Sequence, residues 1–311
     1  MEGLLIAALR AQLDPLLPSG PTWCSFPGPR VICLHLSGAP DLIIDLDPKA
    51  PHLRPGTAPG PARTPFQQML EARLRGPLVA TAQPQLDRVL ILRFDAGQGF
   101  VSSPPVELVL ELVGQRANAL VLDQAGVVRG ALRQTSSARL GAPYAPLPAQ
   151  DKADPRAQDV DRIAQKLLAT GLPPERSIVQ ALDGFGLILA SAACRLAQVS
   201  GQELTPESAR QLAEAVQAIA HKPQLALESG VDDILEALER HYAQVAEQAR
   251  LAELRHQVRR GLEQEIKLLH AKLADCQRTR SSAAEAATYQ RYGDLLLACA
   301  HLYQPGTTSL T

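Results

Sequence analysis

The stretch that decides the fold of this chain reads TPFQQMLEARLRG (residues 64–76), QPQLDRVLILRF (83–94) and VELVLELVGQRANALVLDQAG (106–126). Its first segment predicts a helix, because Thr64 is a good N-cap, Pro65 suits the first helical position and Gln67 completes a capping box. The later segments are strand-like apolar runs separated by turn residues. A capped helix followed by consecutive strand pairs favours the α+β class over a parallel sheet with crossover helices.

The preceding residues extend this plan. Residues 2–17 are expected to form an amphipathic helix, and residues 31–36 and 42–46 two strands. Residues 47–63 contain five prolines and are predicted to be a loop. Five further strands are expected at residues 78–82, 89–94, 106–113, 119–122 and 127–133.

The second half of the sequence is predicted to be helical. A proline-rich connector at residues 141–158 leads to a compact helical unit over 160–225 and one long helix over 231–300. The long helix carries apolar residues in steps of four and three, as in a coiled-coil seam. The seam consists of Leu254, Val258, Leu262, Ile266, Leu269, Leu273 and Cys276. We therefore predict an α+β domain, then an all-α helix-hairpin-helix unit, then a long coiled-coil helix. Their predicted ranges are 1–158, 159–228 and 229–311.

The overall composition narrows the classes of function. The five cysteines do not have the spacing of a zinc site, and the chain spells neither a Ser-His-Asp set nor a phosphate-loop lysine. We therefore expect no metal, no cofactor and no enzymatic activity. No basic leader with an apolar core and no long apolar run is present, which predicts a cytoplasmic protein without membrane contact. The net charge of -1 counts against RNA binding unless basic residues cluster locally.

One local excess of basic residues lies on the long helix. Residues 239–280 hold nine Lys or Arg against six Asp or Glu. Solvated coiled-coil flanks commonly have this composition, and a rod that faces rRNA is the alternative.

The order and spacing of the pieces between residues 64 and 126 resemble the N-terminal domain of the NFACT family. A second match, ATYQRYGDLL at 287–296, is similar to the family's Tyr-Arg-x-Tyr-Gly-Glu-Leu-Leu stretch late in the ascending helix of a coiled coil. The resemblance implies a ribosome quality control factor. Such a factor binds large ribosomal subunits (23S rRNA) obstructed by nascent peptidyl-tRNA and recruits alanyl-tRNA for C-terminal alanine tailing. It also implies that residues 229–311 are the ascending half of a coiled coil whose returning helix lies outside this sequence.

The resemblance makes Asp87 and Arg88 the first candidates for tRNA binding. In the family, the matching Asp-Arg pair is associated with recognition of the tRNA anticodon arm. A carboxylate accepts from a base amino group, and a guanidinium binds base edges or phosphate through two hydrogen bonds. A strand-edge ion pair or a turn cap is the structural alternative.

Two further sets of tRNA candidates follow from the resemblance. Arg116 and Asn118 lie in a Glu-apolar-apolar-Gly run that departs from the family's Gly-Arg-His-Ser-Asn pattern, and a tight hairpin also explains it. Glu2 lies before Gly3, where bacterial members carry an acidic residue followed by Gly. An acidic residue in that position also simply favours a helix N-terminus.

Gly184-Phe185-Gly186 separates two helical runs and resembles the turn of a helix-hairpin-helix. Backbone N–H groups at a helix N-terminus bind phosphate without reading sequence, so Gly184 and Gly186 are candidate phosphate ligands. An ordinary turn between helices is the alternative.

Two functions of other classes remain open. Family members have also been labelled fibronectin- or fibrinogen-binding surface adhesins, and a non-catalytic coiled-coil scaffold fits the long helix. Because the seam has no partner helix of comparable length in this sequence, we also expect self-association through it.

Overall fold

Two antiparallel sheets form the first part of the chain, and helices form the rest. The computed structural model describes residues 1–97, 103–135, 138–146, 148, 150–201, 203–227, 230–302 and 306. Contacts divide the chain into two units, Met1–Val245 and Ala246–Thr311. This division falls at neither of the predicted boundaries near residues 158 and 228, which stay predictions.

The first sheet has the strand order β1-β2-β3-β4. Its strands are β1 (Thr22–Gly28), β2 (Val31–Leu36), β3 (Leu42–Asp45) and β4 (His52–Pro55). The two central strands were predicted, and the two edge strands were not. Pro27 in β1 and Pro55 in β4 removed the sequence signal, yet an edge strand tolerates proline because one side of it needs no ladder hydrogen bond. The predicted loop over 47–63 therefore contains a strand.

Helix α1 (Gly3–Leu13) buries Leu4, Leu5, Ile6 and Leu9 in the main core. It is shorter than predicted, because a 3-10 turn with Pro15 follows at once. A Cβ on Gly3 would lie 1.6 Å from the carbonyl oxygen of Leu86, so only glycine allows this approach to the second sheet.

Helix α2 (Pro65–Arg73) has the predicted capping box. The Gln67 N–H donates to the Thr64 hydroxyl at 3.2 Å, and the Gln67 side-chain oxygen accepts from the Thr64 N–H at 3.2 Å. The amide nitrogen of Gln67 also donates to Gly28 O at 2.8 Å, which ties this helix to the end of β1.

The second sheet runs in sequence order, as consecutive hairpins require. It contains β5 (Leu78–Ala82), β6 (Val89–Phe94), β7 (Val106–Glu111), β8 (Asn118–Leu122) and β9 (Val128–Ala131). All five strands were predicted, with small differences at their ends. The α+β class of the N-terminal part is confirmed.

Helices α3 (Val160–Ala169), α4 (Pro174–Ala181), α5 (Leu187–Leu196) and α6 (Pro206–His221) follow. Contacts join α3 to α6, α4 to α5 and α5 to α6. The long helix α7 spans Ile234–Ala298 and buries Ile234, Ala237, Leu238 and Tyr242 near its start. In the second unit, the seam residues from Leu254 to Leu273 are 48–62% exposed.

Candidate functional site

Five of the seven predicted site residues line one cleft of about 170 Å³ in the first unit. They are Glu2, Asp87, Arg88, Gly184 and Gly186. We call this the junction cleft, because it lies where the start of α1, the turn before β6 and the loop between α4 and α5 meet. Three segments that are far apart in sequence therefore converge on one place.

Hydrogen bonds between backbone groups, or between a side chain and the backbone, hold these three segments together. The Leu4 N–H donates to Gly184 O at 3.1 Å, and the Leu86 N–H donates to the Asp183 carboxylate at 3.1 Å. The Gln83 amide donates both to Gly3 O at 2.9 Å and to Asp87 O at 2.8 Å. These hydrogen bonds fix the positions of the three segments that line the cleft.

Glu2 is a buried helix cap rather than an exposed ligand. Its carboxylate accepts from the N–H groups of Gly186 at 2.9 Å, Ile188 at 2.7 Å and Leu189 at 3.0 Å, and the residue is 6% exposed. A negative charge at these unpaired N–H groups stabilises α5. Both oxygens of the Glu2 carboxylate thus already accept inside the protein, which favours a structural role, and contact between Glu2 and tRNA stays a prediction.

The N–H groups of Gly184 and Gly186 have acceptors within the protein, and phosphate binding by these glycines stays a prediction. The Gly186 N–H is bonded to Glu2, and the Gly184 N–H donates to the Asp183 carboxylate at 2.8 Å. The Glu2 carboxylate occupies the anion position at the start of α5. A Cβ on Gly186 would lie 2.5 Å from a Glu2 oxygen, so glycine is needed here for the close approach of Glu2.

Asp87 and Arg88 do not pair with each other through their side chains. The Asp87 carboxylate accepts from the backbone N–H of Arg88 at 2.7 Å, which caps the turn. Both residues are half-buried at the cleft. Within the described residues, the Arg88 guanidinium has neither a hydrogen bond nor an ion pair, so it is available to a ligand.

Lys152 is a cleft residue that the sequence analysis missed. It lies in the proline-rich connector and is half-buried. Burial lowers the pKa of its ammonium group, Asp183 and Asp87 raise it, and Arg88 lowers it. No ion pair involves Lys152 in the part of the chain that the structure describes. Nothing in the connector's composition distinguishes this lysine, because only the fold brings it to Arg88.

The buried carboxyl group of Glu111 lies near the turn that contains Asp87. The Tyr144 hydroxyl donates to the Glu111 carboxylate at 2.9 Å. Burial raises the pKa of Glu111, the Tyr144 hydrogen bond lowers it, and the nearby Asp87 raises it. Glu111 therefore belongs to the electrostatic surroundings of Asp87, although it does not line the cleft.

Arg116 and Asn118 lie outside the cleft. Asn118 is 0% exposed, donates to Arg133 O at 2.9 Å and accepts from the N–H groups of Ala119 at 3.1 Å and Arg133 at 2.9 Å. Asn118 thus ties β8 to the segment that follows β9, which favours a structural role, and its contact with tRNA stays a prediction. Arg116 is exposed in the 3-10 turn Gly114–Arg116 and stays a candidate.

A Ser-His-Asp arrangement exists that the sequence analysis did not expect. His35 contacts the Ser25 hydroxyl at 2.8 Å through Nε2 and Asp41 at 2.7 Å through Nδ1. The Ser25 hydroxyl also lies 2.6 Å from Ala58 O, and Ser25 is 6% exposed. The Ser25 hydroxyl is too enclosed to meet a substrate. We therefore interpret these three side chains as a structural contact within the first sheet.

Two other observations concern ligands and membranes. Among the described residues, no three His, Cys, Asp or Glu side chains come together as a metal site. None of the helices that the structure describes has both the length and the apolar character needed to cross a membrane.

Comparison with known proteins gives the family. The family model of the NFACT N-terminal and middle domains matches residues 2–230 and 221–311, so the chain belongs to the NFACT family. It is 22% identical over 283 residues to the Rqc2 homolog RqcH of Bacillus subtilis (strain 168), covering 82% of this chain and 50% of that protein. The chain thus spans about half the length of this curated relative.

Solved structures share the fold at low sequence identity. The fibrinogen binding protein from Staphylococcus aureus matches with a TM-score of 0.58 and 16% identity, over 71% of this chain and 83% of that chain. The N-terminal part of the fibronectin/fibrinogen-binding protein from Streptococcus suis matches with a TM-score of 0.53 and 16% identity, over 69% and 84%. The N-terminal domain of fibronectin-binding protein PavA from Streptococcus pneumoniae gives 0.52 and 16%, over 63% and 82%.

Proposed function

We propose that this chain is part of an RqcH-like ribosome quality control factor and that it contacts tRNA at the junction cleft. Family membership and the relationship to RqcH support the ribosomal role. The observation that carries the tRNA contact is the pair of cations, Arg88 and Lys152, beside the Asp87 turn. The carboxylates of Asp87 and Asp183 accept backbone N–H groups, whereas neither cation has an ion-pair partner in the described chain.

The cleft is suited to part of a nucleotide. Its volume of about 170 Å³ is smaller than the roughly 300–1,000 Å³ of sites that enclose a small molecule. A phosphate group or one base edge fits this scale. Arg88 would bind such a group through two hydrogen bonds, and Lys152 would add a point charge. Asp87 would accept from a base amino group.

The wider proposal is that the protein binds large ribosomal subunits, with their 23S rRNA, when peptidyl-tRNA obstructs them. Alanyl-tRNA recruited there would supply the alanines of a C-terminal tail. Peptide transfer would be the chemistry of the ribosome, so the protein itself would be no enzyme and need no cofactor. Its long helix, with the exposed seam, would form one strand of a coiled coil.

One experiment tests this function directly. The native protein is captured from cells, and the RNA bound to it is sequenced. Enrichment of 23S rRNA with one tRNA species is the expected result. Recovery of neither RNA above the level of an unrelated tagged protein would refute the proposal.

A surface adhesin is the second candidate, because solved structures with this fold are named for fibrinogen or fibronectin binding. It predicts native protein on the outside of intact cells and saturable binding to immobilised fibrinogen. Protease shaving of intact cells separates the two candidates, since a ribosomal factor is protected until the cells are lysed.

Replacing Lys152 with alanine should weaken tRNA binding several-fold and make it less sensitive to salt. Loss of one phosphate contact lowers the slope of log affinity against log salt by about 0.7–0.9. Fluorescence anisotropy with labelled tRNA, between about 50 and 200 mM salt, measures both effects. Lys222→Ala, at an exposed position after α6, is the matched control. Equal slopes for the wild type and Lys152→Ala would remove Lys152 from the site.

The exposed seam predicts self-association of residues 1–311. Leu262 and Ile266 are 59% and 54% exposed, and an apolar stripe of this length is unfavourable in water. Sedimentation velocity should show a dimer that Leu262→Glu with Ile266→Glu converts to monomer. Glu263→Lys with Glu265→Lys changes two helix residues outside the seam and should leave the dimer intact. A wild type that stays monomeric at high concentration, with the helix fully formed, would contradict the seam pairing.

A further inference from the structure

The single tryptophan of the chain lies on the surface of the first sheet. Trp23, on the edge strand β1, is 59% exposed. Its ring lies on the His35 ring with 3.4 Å between centroids and 12° between planes. The two residues are direct partners across β1 and β2. One face of the indole is therefore covered, and the other is open.

A chain of hydrogen bonds fixes the position of this stack. Both ring nitrogens of His35 are engaged, one by Asp41 at 2.7 Å and one by Ser25 at 2.8 Å. The backbone N–H of Leu36 also donates to Asp41 at 3.1 Å. His35 cannot turn without breaking these contacts, so the indole above it has a firm support. A prearranged aromatic surface loses little conformational entropy when a ligand stacks on it.

A cation lies on the same face of the sheet. Arg54 belongs to the register row Ser25–Cys33–Ile43–Arg54, next to the row of Trp23 and His35. Its guanidinium donates to Pro55 O at 3.4 Å, and no carboxylate pairs with it among the residues described. Strands lie about 4.8 Å apart, so β4, which carries Arg54, is about 14 Å from β1, which carries Trp23. A single RNA strand that crosses this face would therefore meet the indole and the guanidinium with different nucleotides.

We propose that this face, formed by Trp23, His35 and Arg54 and here called the Trp23 platform, binds an unpaired RNA base. The base would stack on the open face of Trp23, and a phosphate further along the same strand would lie at Arg54. Stacking on exposed aromatic rings beside a basic group is how proteins hold single-stranded RNA. The inference rests on the proposed RNA-binding function, and it adds a second contact that shares no residue with the junction cleft.

The two chemistries on this face favour RNA over a peptide. An apolar or proline-rich peptide would use the indole but has no need for the guanidinium of Arg54, which no carboxylate among the described residues neutralises. A duplex would use the cation, but its bases are already stacked and do not reach the indole. A single RNA strand with unpaired bases uses both groups.

The test uses the natural fluorescence of Trp23, which reports on this site alone because the chain has one tryptophan. The full chain is titrated with a twelve-residue oligoadenylate, and tryptophan emission and the anisotropy of a labelled oligonucleotide are followed together. Quenching that saturates with binding is expected from the single strand. The corresponding duplex should bind without quenching.

Variants separate stacking from general affinity. Trp23→Leu should weaken oligoadenylate binding about tenfold, Trp23→Phe should restore most of it, and Arg54→Ala should weaken it and reduce its salt dependence. Leu196→Ala, at a residue 56% exposed on α5, is the matched control and should bind normally. The Asp87→Ala, Arg88→Ala double variant should keep the quenching.

Three results would overturn the inference, and each can be distinguished from the others. RNA that binds without changing Trp23 emission, and equally well to Trp23→Leu, refutes the platform alone and leaves the tRNA contact at the junction cleft standing. Absence of binding to both oligoadenylate and tRNA refutes the proposed function together with the platform. Quenching by a proline-rich peptide but not by RNA would assign the face to a protein partner instead.

Discussion

Replacing Asp87 and Arg88 with alanine is expected to abolish alanine tailing of stalled nascent chains while the protein stays folded. The guanidinium of Arg88, which has no partner among the described residues, is the strongest candidate donor in the junction cleft, and its planar shape allows two hydrogen bonds to one anion. The stability cost should be about 1 kcal/mol, because the only described side-chain bond lost is the one that the Arg88 N–H donates to the Asp87 carboxylate. Tailing is measured in cells that lack the native protein, and folding by thermal melting.

A matched control variant tests the specificity of this effect, and two outcomes would contradict the prediction. Arg210→Ala removes an exposed guanidinium on α6 (66% exposed) and should leave tailing unchanged. A double variant that melts many degrees lower would show that the Asp87 turn is structural. Normal tailing by a folded double variant would remove the junction cleft from the function.

The second large effect is expected from Glu2→Ala. Three N–H groups at the start of α5 lose their acceptor, and a buried donor left unpaired costs about 1–3 kcal/mol. Even with water replacing part of the carboxylate, we expect a loss of about 3 kcal/mol. For a unit of this size, that lowers the melting temperature by roughly 6–12 °C. Differential scanning calorimetry measures the change.

Two comparisons identify the cause of that loss. Glu207→Ala removes an exposed acidic residue from the first turn of α6, where the effect of the helix dipole is only about 0.3–1 kcal/mol. Glu2→Gln keeps the shape but removes the charge, and should fall between the wild type and alanine. If Glu2→Ala melts normally but binds tRNA poorly, Glu2 is a ligand after all.

The site was predictable only in part. Sequence resemblance singled out Glu2, Asp87, Arg88, Gly184 and Gly186, and all five meet in one cleft. The contacts that these residues make in the structure could not be predicted from the sequence. Glu2 was predicted to bind tRNA, with the N-terminus of its own helix as the alternative, yet it caps α5, which begins more than 180 residues later. A contact between such distant residues leaves no local periodicity or spacing in the sequence.

The junction cleft shows why the roles of its residues and the position of Lys152 could not be predicted from the sequence. The helix N-terminus looked like a phosphate site because unpaired N–H groups attract anions. For the same electrostatic reason, these N–H groups bind the carboxylate of Glu2 from the chain itself. Lys152 stood in a connector without regular structure, and its proximity to Arg88 arises from the packing of three separate segments.

The sequence by itself determined the α+β class, the capped helix α2, the hairpins of the second sheet and the long helix α7. These depend on interactions between near neighbours: side-chain period, capping residues and turn chemistry. Tertiary structure alone decided the edge strands β1 and β4, the cap that Glu2 provides and the stack of Trp23 on His35. Each of these requires partners distant along the chain, and their energies exist only once the backbone has brought them together.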